Sequence, residues 1–203
     1  MAFYASLPSC VLRRSSAAAR CNAIFMLAVL PAHLLSAEGA TSLDLNKLRK
    51  QLITHEGKRL KAYKDSENIL TIGVGFNLTR ADAKKRIEAF GLDFDKVKAG
   101  VQELTDKQAM MLLEADIDSA IRDCKSIFPK FHDLSDVRQR VLLDMMFNLG
   151  KTRFSNFKNL IANVNAGRFE AAADEMKASK WYVQVKSRGK TLEAMMRTDR
   201  DGN

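Results

Sequence analysis

His55-Glu56-Gly57-Lys58-Arg59-Leu60-Lys61-Ala62-Tyr63-Lys64-Asp65, continued four residues later by Leu70-Thr71-Ile72-Gly73-Val74-Gly75-Phe76-Asn77-Leu78-Thr79, is the stretch on which the fold turns. Upstream of it, Leu45, Leu48, Leu52 and Ile53 recur at helical spacing, and Gly57 suits a helix end in a left-handed turn. Glu56 is therefore expected in the last turn of an amphipathic helix. A carboxylate there faces the negative end of the helix dipole, which favours its protonated form. Such a place is poor for a structural glutamate and useful for a general acid. Asp65 follows on an irregular segment, and Gly73 and Gly75 allow an extended hairpin to approach another group closely. One carboxyl placed to give a proton, a second expected to stay ionised and the Thr71 hydroxyl together form a hydrolytic constellation.

These residues resemble the active-site segment of the phage-type lysozymes, glycoside hydrolase family 24: Glu56, then Asp65 nine residues on, then Thr71-Ile72-Gly73-x-Gly75. Later blocks are similar too, namely Arg138-Gln139-x-Val141-Leu142-x-Asp144-Met145-x-Phe147-Asn148-Leu149-Gly150 and Ser179-Lys180-Trp181 with Arg188 and Met195-Met196-Arg197-Thr198. The resemblance runs over about residues 43 to 199. It implies a lysozyme-like, two-lobed α+β fold, with a small N-terminal hairpin or sheet lobe and a helical C-terminal lobe. The activity implied is muramidase, cleaving the β-1,4 bond between N-acetylmuramic acid and N-acetylglucosamine in peptidoglycan. Glu56 would be the general acid, and Asp65 the general base on a water that Thr71 holds. Inversion, also implied, would set the carboxyls about 6.5–9.5 Å apart. Arg188 matches the family arginine that pairs with the glutamate. Phe147 and Asn148 match a cleft-lining block, and Asn77 is carried over as a substrate contact on position alone. Neither cofactor nor metal is implied, because side chains supply acid and base. A monomer is expected.

The match has gaps. Phe76 stands where the best-known phage members carry a histidine after the Gly-x-Gly, so the ion pair made there is expected to be missing, which bears on stability. Leu160 and Glu175 differ in type from family positions of substrate contact and are not carried over.

Composition sets wider bounds. The chain has 203 residues, enough for one domain or two closely joined lobes with a sizeable core. Its net charge is +9, of which Arg13, Arg14 and Arg20 supply +3 in an acid-free first 37 residues. A basic body attracts polyanions, whether nucleic acid or anionic wall polymers. No nucleic-acid motif is present and the basic residues are interspersed with acids, so nucleic acid is not expected as a partner. Residues 1–37 read as a signal peptide: an arginine-bearing start, an apolar run from Ala23 to Leu35, and Ser36-Ala37-Glu38-Gly39-Ala40 suited to cleavage. The run is shorter than the ~20 residues a span requires, so membrane contact is expected to be transient and the product secreted or periplasmic. An uncleaved anchor holding the protein at the membrane and an organellar transit peptide are the alternatives. Residues 38–203 then form the catalytic domain. Cys124, alone in that body, reads as a buried small hydrophobe.

Along the body, Thr79-x-x-Asp82 predicts a capped helix ending at Phe90-Gly91, and Leu92 to Gly100 reads as a loose stretch. Thr105-x-x-Gln108 is a capping box before the stripe Met110, Leu113, Ile117, Ala120, Ile121 and Cys124. Ser135 caps a helix that buries Val137, Val141, Leu142, Met145, Met146 and Leu149 and stops at Gly150. Two or three shorter helices follow, broken at Ala166-Gly167 and around Lys186–Gly189. Tyr63 is a candidate for stacking on sugar rings, whereas Trp181 and Tyr182 read as core. Arg59 occupies the position where a His-Glu-x-x-His zinc helix needs its second histidine, and Gly73-x-Gly75 lacks a third glycine for dinucleotide binding. The rival to catalysis is a non-catalytic peptidoglycan-binding protein on the same scaffold. Retention of Glu56, Asp65 and Thr71 together argues against it.

Overall fold

The computed structural model describes residues 42–65 and 67–202. Residues 1–41, and with them the signal-peptide reading of residues 1–37, lie outside them.

Helix α1 (Leu45–Glu56) starts at Asp44, whose carboxylate accepts from the backbone N–H groups of Asn46 and Lys47. It ends where predicted. Gly57 has φ 74° and ψ 170°, so the turn is positive in φ but extended in ψ, and its N–H closes the helix on Ile53 O at 2.9 Å. Strands β1 (Arg59–Lys64), β2 (Leu70–Gly73) and β3 (Phe76–Asn77) follow as an antiparallel sheet in the order β1-β2-β3. This settles the choice between a hairpin and a three-stranded sheet.

Then come α2 (Ala83–Glu88), α3 (Phe94–Lys98), α4 (Asp106–Ile127) and α5 (Asp136–Phe154). The Thr105 box is formed: the Thr105 hydroxyl accepts from Gln108 N–H while the Gln108 side chain accepts from Thr105 N–H. Ser135 caps α5 by accepting from Arg138 N–H. Gly150 (φ 70°, ψ 160°) interrupts α5, after which one further turn reaches Phe154. Helices α6 (Lys158–Asn165), α7 (Phe169–Lys177), α8 (Lys180–Gln184) and α9 (Ser187–Thr198) complete the described residues.

The expected Thr79 cap does not form. Asn77 Oδ1 accepts from both the N–H and the hydroxyl of Thr79, and α2 starts at Asp82 without a side-chain cap. Asp82 is engaged by Arg80 and Arg86 instead. The stretch from Leu92 to Gly100 is not loose, since Asp93 caps α3 through Asp95 and Lys96 N–H. Four helices, rather than two or three, follow α5. The break before α9 lies at Lys186 (φ 52°), and Gly189 is inside the helix, where a Cβ would meet Tyr182 O at 3.0 Å. Val137 and Leu149 are half-buried rather than buried.

Two cores result, as a two-lobed fold requires. The smaller packs Ile72, Phe76, Leu78, Ile87, Val97 and Leu104 beneath the sheet. The larger gathers α1, α5, α7 and α9 around Leu52, Leu142, Met145, Met176 and Leu192. Helix α4 serves both, through Ala109 and Leu112 in the first and Leu113, Ile117, Ala120 and Cys124 in the second. The Cys124 thiol is buried, and that burial pushes its pKa up, which leaves it inert.

Candidate active site

A cleft of about 1460 Å³ is lined from the sheet by Tyr63, Asp65, Thr71 and Asn77, and from the helices by Glu56, Phe147, Asn148 and Arg188. All seven residues assigned from the sequence (Glu56, Asp65, Thr71, Asn77, Phe147, Asn148 and Arg188) thus meet at one surface, with Tyr63 beside them.

The sheet's contribution follows from register. Tyr63 is paired with Thr71, and Thr71 with Asn77, so one rung across three strands presents three polar side chains to one face. Thr71 is 3% exposed, and its hydroxyl donates to Ile69 O at 3.2 Å. Asp65 lies two residues beyond Tyr63. Its Oδ1 accepts from Glu67 and Ile69 N–H at 2.9 and 2.8 Å, which fixes the carboxyl within its own turn. Burial, and then the Glu56 charge, push the Tyr63 hydroxyl up in pKa. Arg59 lies 4.4 Å over the Tyr63 ring.

Glu56 reaches the cleft from the end of α1, closed over by the β2–β3 turn. Gly75 (φ 69°) passes so near that a Cβ there would sit 3.2 Å from the Glu56 carboxyl. The glycine is required twice, for its positive φ and for the approach. Arg188, in the first turn of α9, donates from Nη1 to Glu56 Oε1 at 2.6 Å. A cation in the first turn opposes the helix dipole, so carboxylates must hold it.

Most of that hold comes from a residue given no role in the sequence reading. Asp144 on α5 is fully buried and accepts from Arg188 Nε at 2.7 Å, Gln51 Nε2 at 2.7 Å and His55 Nδ1 at 2.8 Å. Burial alone would push Asp144 up in pKa. Arg188, His55 and Gln51 outweigh it and hold the carboxyl below the usual range. The network continues from Gln51 Oε1 to Arg140 Nη1 at 2.8 Å, and Arg140 pairs with Asp136 and Asp201. One signal for Asp144 lay in plain view: a lone acid inside the apolar run Val141-Leu142-Leu143-Asp144-Met145-Met146. Such a charge cannot be buried unpaired.

Trp181 is buried, as expected, and its indole N–H donates to Asn148 Oδ1 at 2.9 Å, so a core residue fixes a cleft residue. Phe76, which follows the Gly73-x-Gly75 turn, is buried under the guanidinium groups of Arg80 and Arg86 at 5.0 and 5.5 Å, and both arginines pair with Asp116. A cation–π and ion-pair cluster thus occupies that position.

The phage lysozyme family model matches residues 53–201. The chain belongs to that family. It is 24% identical over 162 residues to probable T4-type lysozyme 1 of Dictyostelium discoideum, covering 76% of this chain and 95% of that one. It is 30% identical over 124 residues to the endolysin of Salmonella phage P22, covering 61% and 74%. A third similarity, 27% over 158 residues, is to the pre-baseplate central spike protein Gp5 of Enterobacteria phage T4, and covers 74% of this chain but 28% of that protein. Within the matched residues, Glu56, Asp65 and Thr71 share a cleft with Arg188.

Proposed function

We propose that this member of the phage lysozyme family is a muramidase that cleaves the β-1,4 bond between N-acetylmuramic acid and N-acetylglucosamine in peptidoglycan. Family membership supports peptidoglycan hydrolysis. The finer reading is carried by one observation: Glu56, bonded to Arg188, opens into the same cleft as Asp65 and Thr71. Glu56 protonates the glycosidic oxygen as the bond breaks. Asp65 draws a proton from the attacking water, Thr71 helps to hold that water, and the product is inverted. Phe147, Asn148 and Asn77 line the track of the glycan.

In this reading the enzyme acts as a monomer. The leader supports export, and peptidoglycan lies outside the cytoplasmic membrane. Among the described residues no helix is long and apolar enough to cross a membrane.

The test is release of reducing ends from purified peptidoglycan, wild type beside Glu56→Gln, both shown folded by circular dichroism. A fall of 10²–10⁴-fold is expected, on the order of what a general acid contributes. Undiminished release by the variant would remove Glu56 as the acid. Binding to the wall without cleavage by either protein would favour a non-catalytic binder.

A further inference from the structure

We propose that Asp144 is the charge-compensating positioning residue that lets Glu56 keep its proton beside Arg188. The inference rests on the reading of Glu56 as general acid, and it answers a conflict inside that reading. A general acid must begin the reaction protonated, yet a guanidinium within hydrogen-bond reach favours the ionised carboxylate. Here Arg188 stands 2.6 Å from Glu56.

The geometry resolves the conflict by counting charges. One guanidinium faces two carboxyls. The Arg188 side chain is 9% exposed, Asp144 0% and Glu56 19%, so their interactions are weakly screened. Asp144 takes Arg188 Nε, Gln51 Nε2 and His55 Nδ1 on its two oxygens, and Arg188 Nη2 also donates to its backbone carbonyl at 3.3 Å. A buried carboxylate with three donors remains ionised. The neutral pair in this pocket is therefore Asp144 with Arg188. A second carboxylate would bring the trio to net −1, and a proton on Glu56 restores neutrality. Glu56 is also the member of the trio most exposed to the cleft, where a proton must be delivered.

The other groups near Glu56 leave this balance standing. On its own helix, His55 gives its Nδ1 hydrogen to Asp144, since an ionised carboxylate can only accept. From β1, Tyr63 is a neutral phenol, its hydroxyl pushed up chiefly by burial. Arg59 is stacked on that ring, and Asp65 turns Oδ1 into its own loop. From the β2–β3 turn comes Gly75, which carries no charge.

The experiment compares pH–rate profiles of kcat for the wild type, Asp144→Asn, Arg188→Gln and the double variant, with Glu56→Gln as reference. In Asp144→Asn the guanidinium is uncompensated, so the alkaline limb should move to lower pH by about one unit or more. In Arg188→Gln it should move to higher pH, and the double variant should fall back towards the wild type. The direction of the Asp144→Asn displacement must be unchanged in a His55→Gln background, which still donates to Asp144 but cannot titrate. Independently of turnover, the Glu56 δ-carbon resonance, assigned by its loss in Glu56→Gln, must titrate at lower pH in Asp144→Asn.

A kcat plateau lowered in Asp144→Asn with an unmoved limb and an unmoved resonance would make Asp144 merely structural. Should Asp144→Asn fail to fold, Arg188→Gln alone decides, and an unmoved or lowered limb overturns the proposal. A wild type that is active while Glu56→Gln is not, combined with no displacement, refutes compensation alone. Full activity in Glu56→Gln refutes the acid assignment and this inference with it.

Discussion

Glu56 is bonded by Arg188, which lies 132 residues further along the chain, and through it to Asp144 on a third helix. Asp65 is bonded by the backbone of Glu67 and Ile69, two and four residues on. The one carboxyl is thus set by the packing of the helical lobe and the other by a single turn of the sheet lobe. The difference suits the two roles that the proposed mechanism gives these groups. A base needs a fixed carboxylate open to water, which a loop can supply. An acid needs a screened-off charge balance, which only a packed interior can supply.

The non-local half depends on Asp144 at its centre. Asp144→Ala leaves Arg188 buried without its main partner and should cost about 3–5 kcal/mol by denaturant unfolding. Asp65→Ala removes two N–H contacts in a half-exposed turn and should cost about 1 kcal/mol. Both should lose most activity. Equal stability losses would mean that the two sites are held alike. The pH dependence gives a second reading. The Asp144 carboxyl lies below its unfolded value, so its stabilisation is complete above the ordinary carboxylate range and disappears as pH falls through the folded value. The stability gap between wild type and Asp144→Ala should therefore narrow on acidification below about pH 4. A gap that widens would contradict the sign of that shift.

The same division decided what could be read from the sequence. Helix α1 with Glu56 at its end, the glycine turn, the Thr105 box and the Ser135 cap are local, and each stands where the residues placed it. The seven candidate residues, named from motif positions, line one cleft. Asp144 stood within a quoted block, but its role depends on Gln51, His55 and Arg188 meeting it in space, and no spacing encodes that. The two capping failures share one cause. The Thr79 hydroxyl fits a cap but is taken by Asn77, and Asp82 is taken by two arginines. Polar side chains have several local offers, and tertiary neighbours choose among them. Helix α3 is five residues long, too short for a periodic pattern to reveal.

Gly75, on the sheet side, meets Glu56 at the end of α1, and Gly75→Ala tests that contact. The variant carries a positive φ that costs an L-residue about 1–2 kcal/mol. Its Cβ would also press the Glu56 carboxyl, at 3.2 Å. A local stability cost should therefore appear together with an activity loss of roughly tenfold or more, as expected when a reacting group is displaced. Gly57→Ala is the control, because a Cβ there meets nothing within 4 Å although φ is also positive. If both variants lose activity equally, strain alone explains the effect and the contact with Glu56 does not matter.

The smallest effect tests the purely local end of the scale. Thr105 caps α4 at the sheet-lobe end of the helix that both cores share, far in bonding terms from the Arg188 network. Thr105→Ala removes the acceptor for Gln108 N–H and should cost about 1 kcal/mol. Since among the described residues no cleft residue bonds to Thr105, kcat and the position of both limbs of its pH profile should stay as in the wild type. A displaced limb would show that the end of α4 is coupled to Glu56 through the shared helix, and the separation between local and non-local support would then fail at the element that joins the lobes.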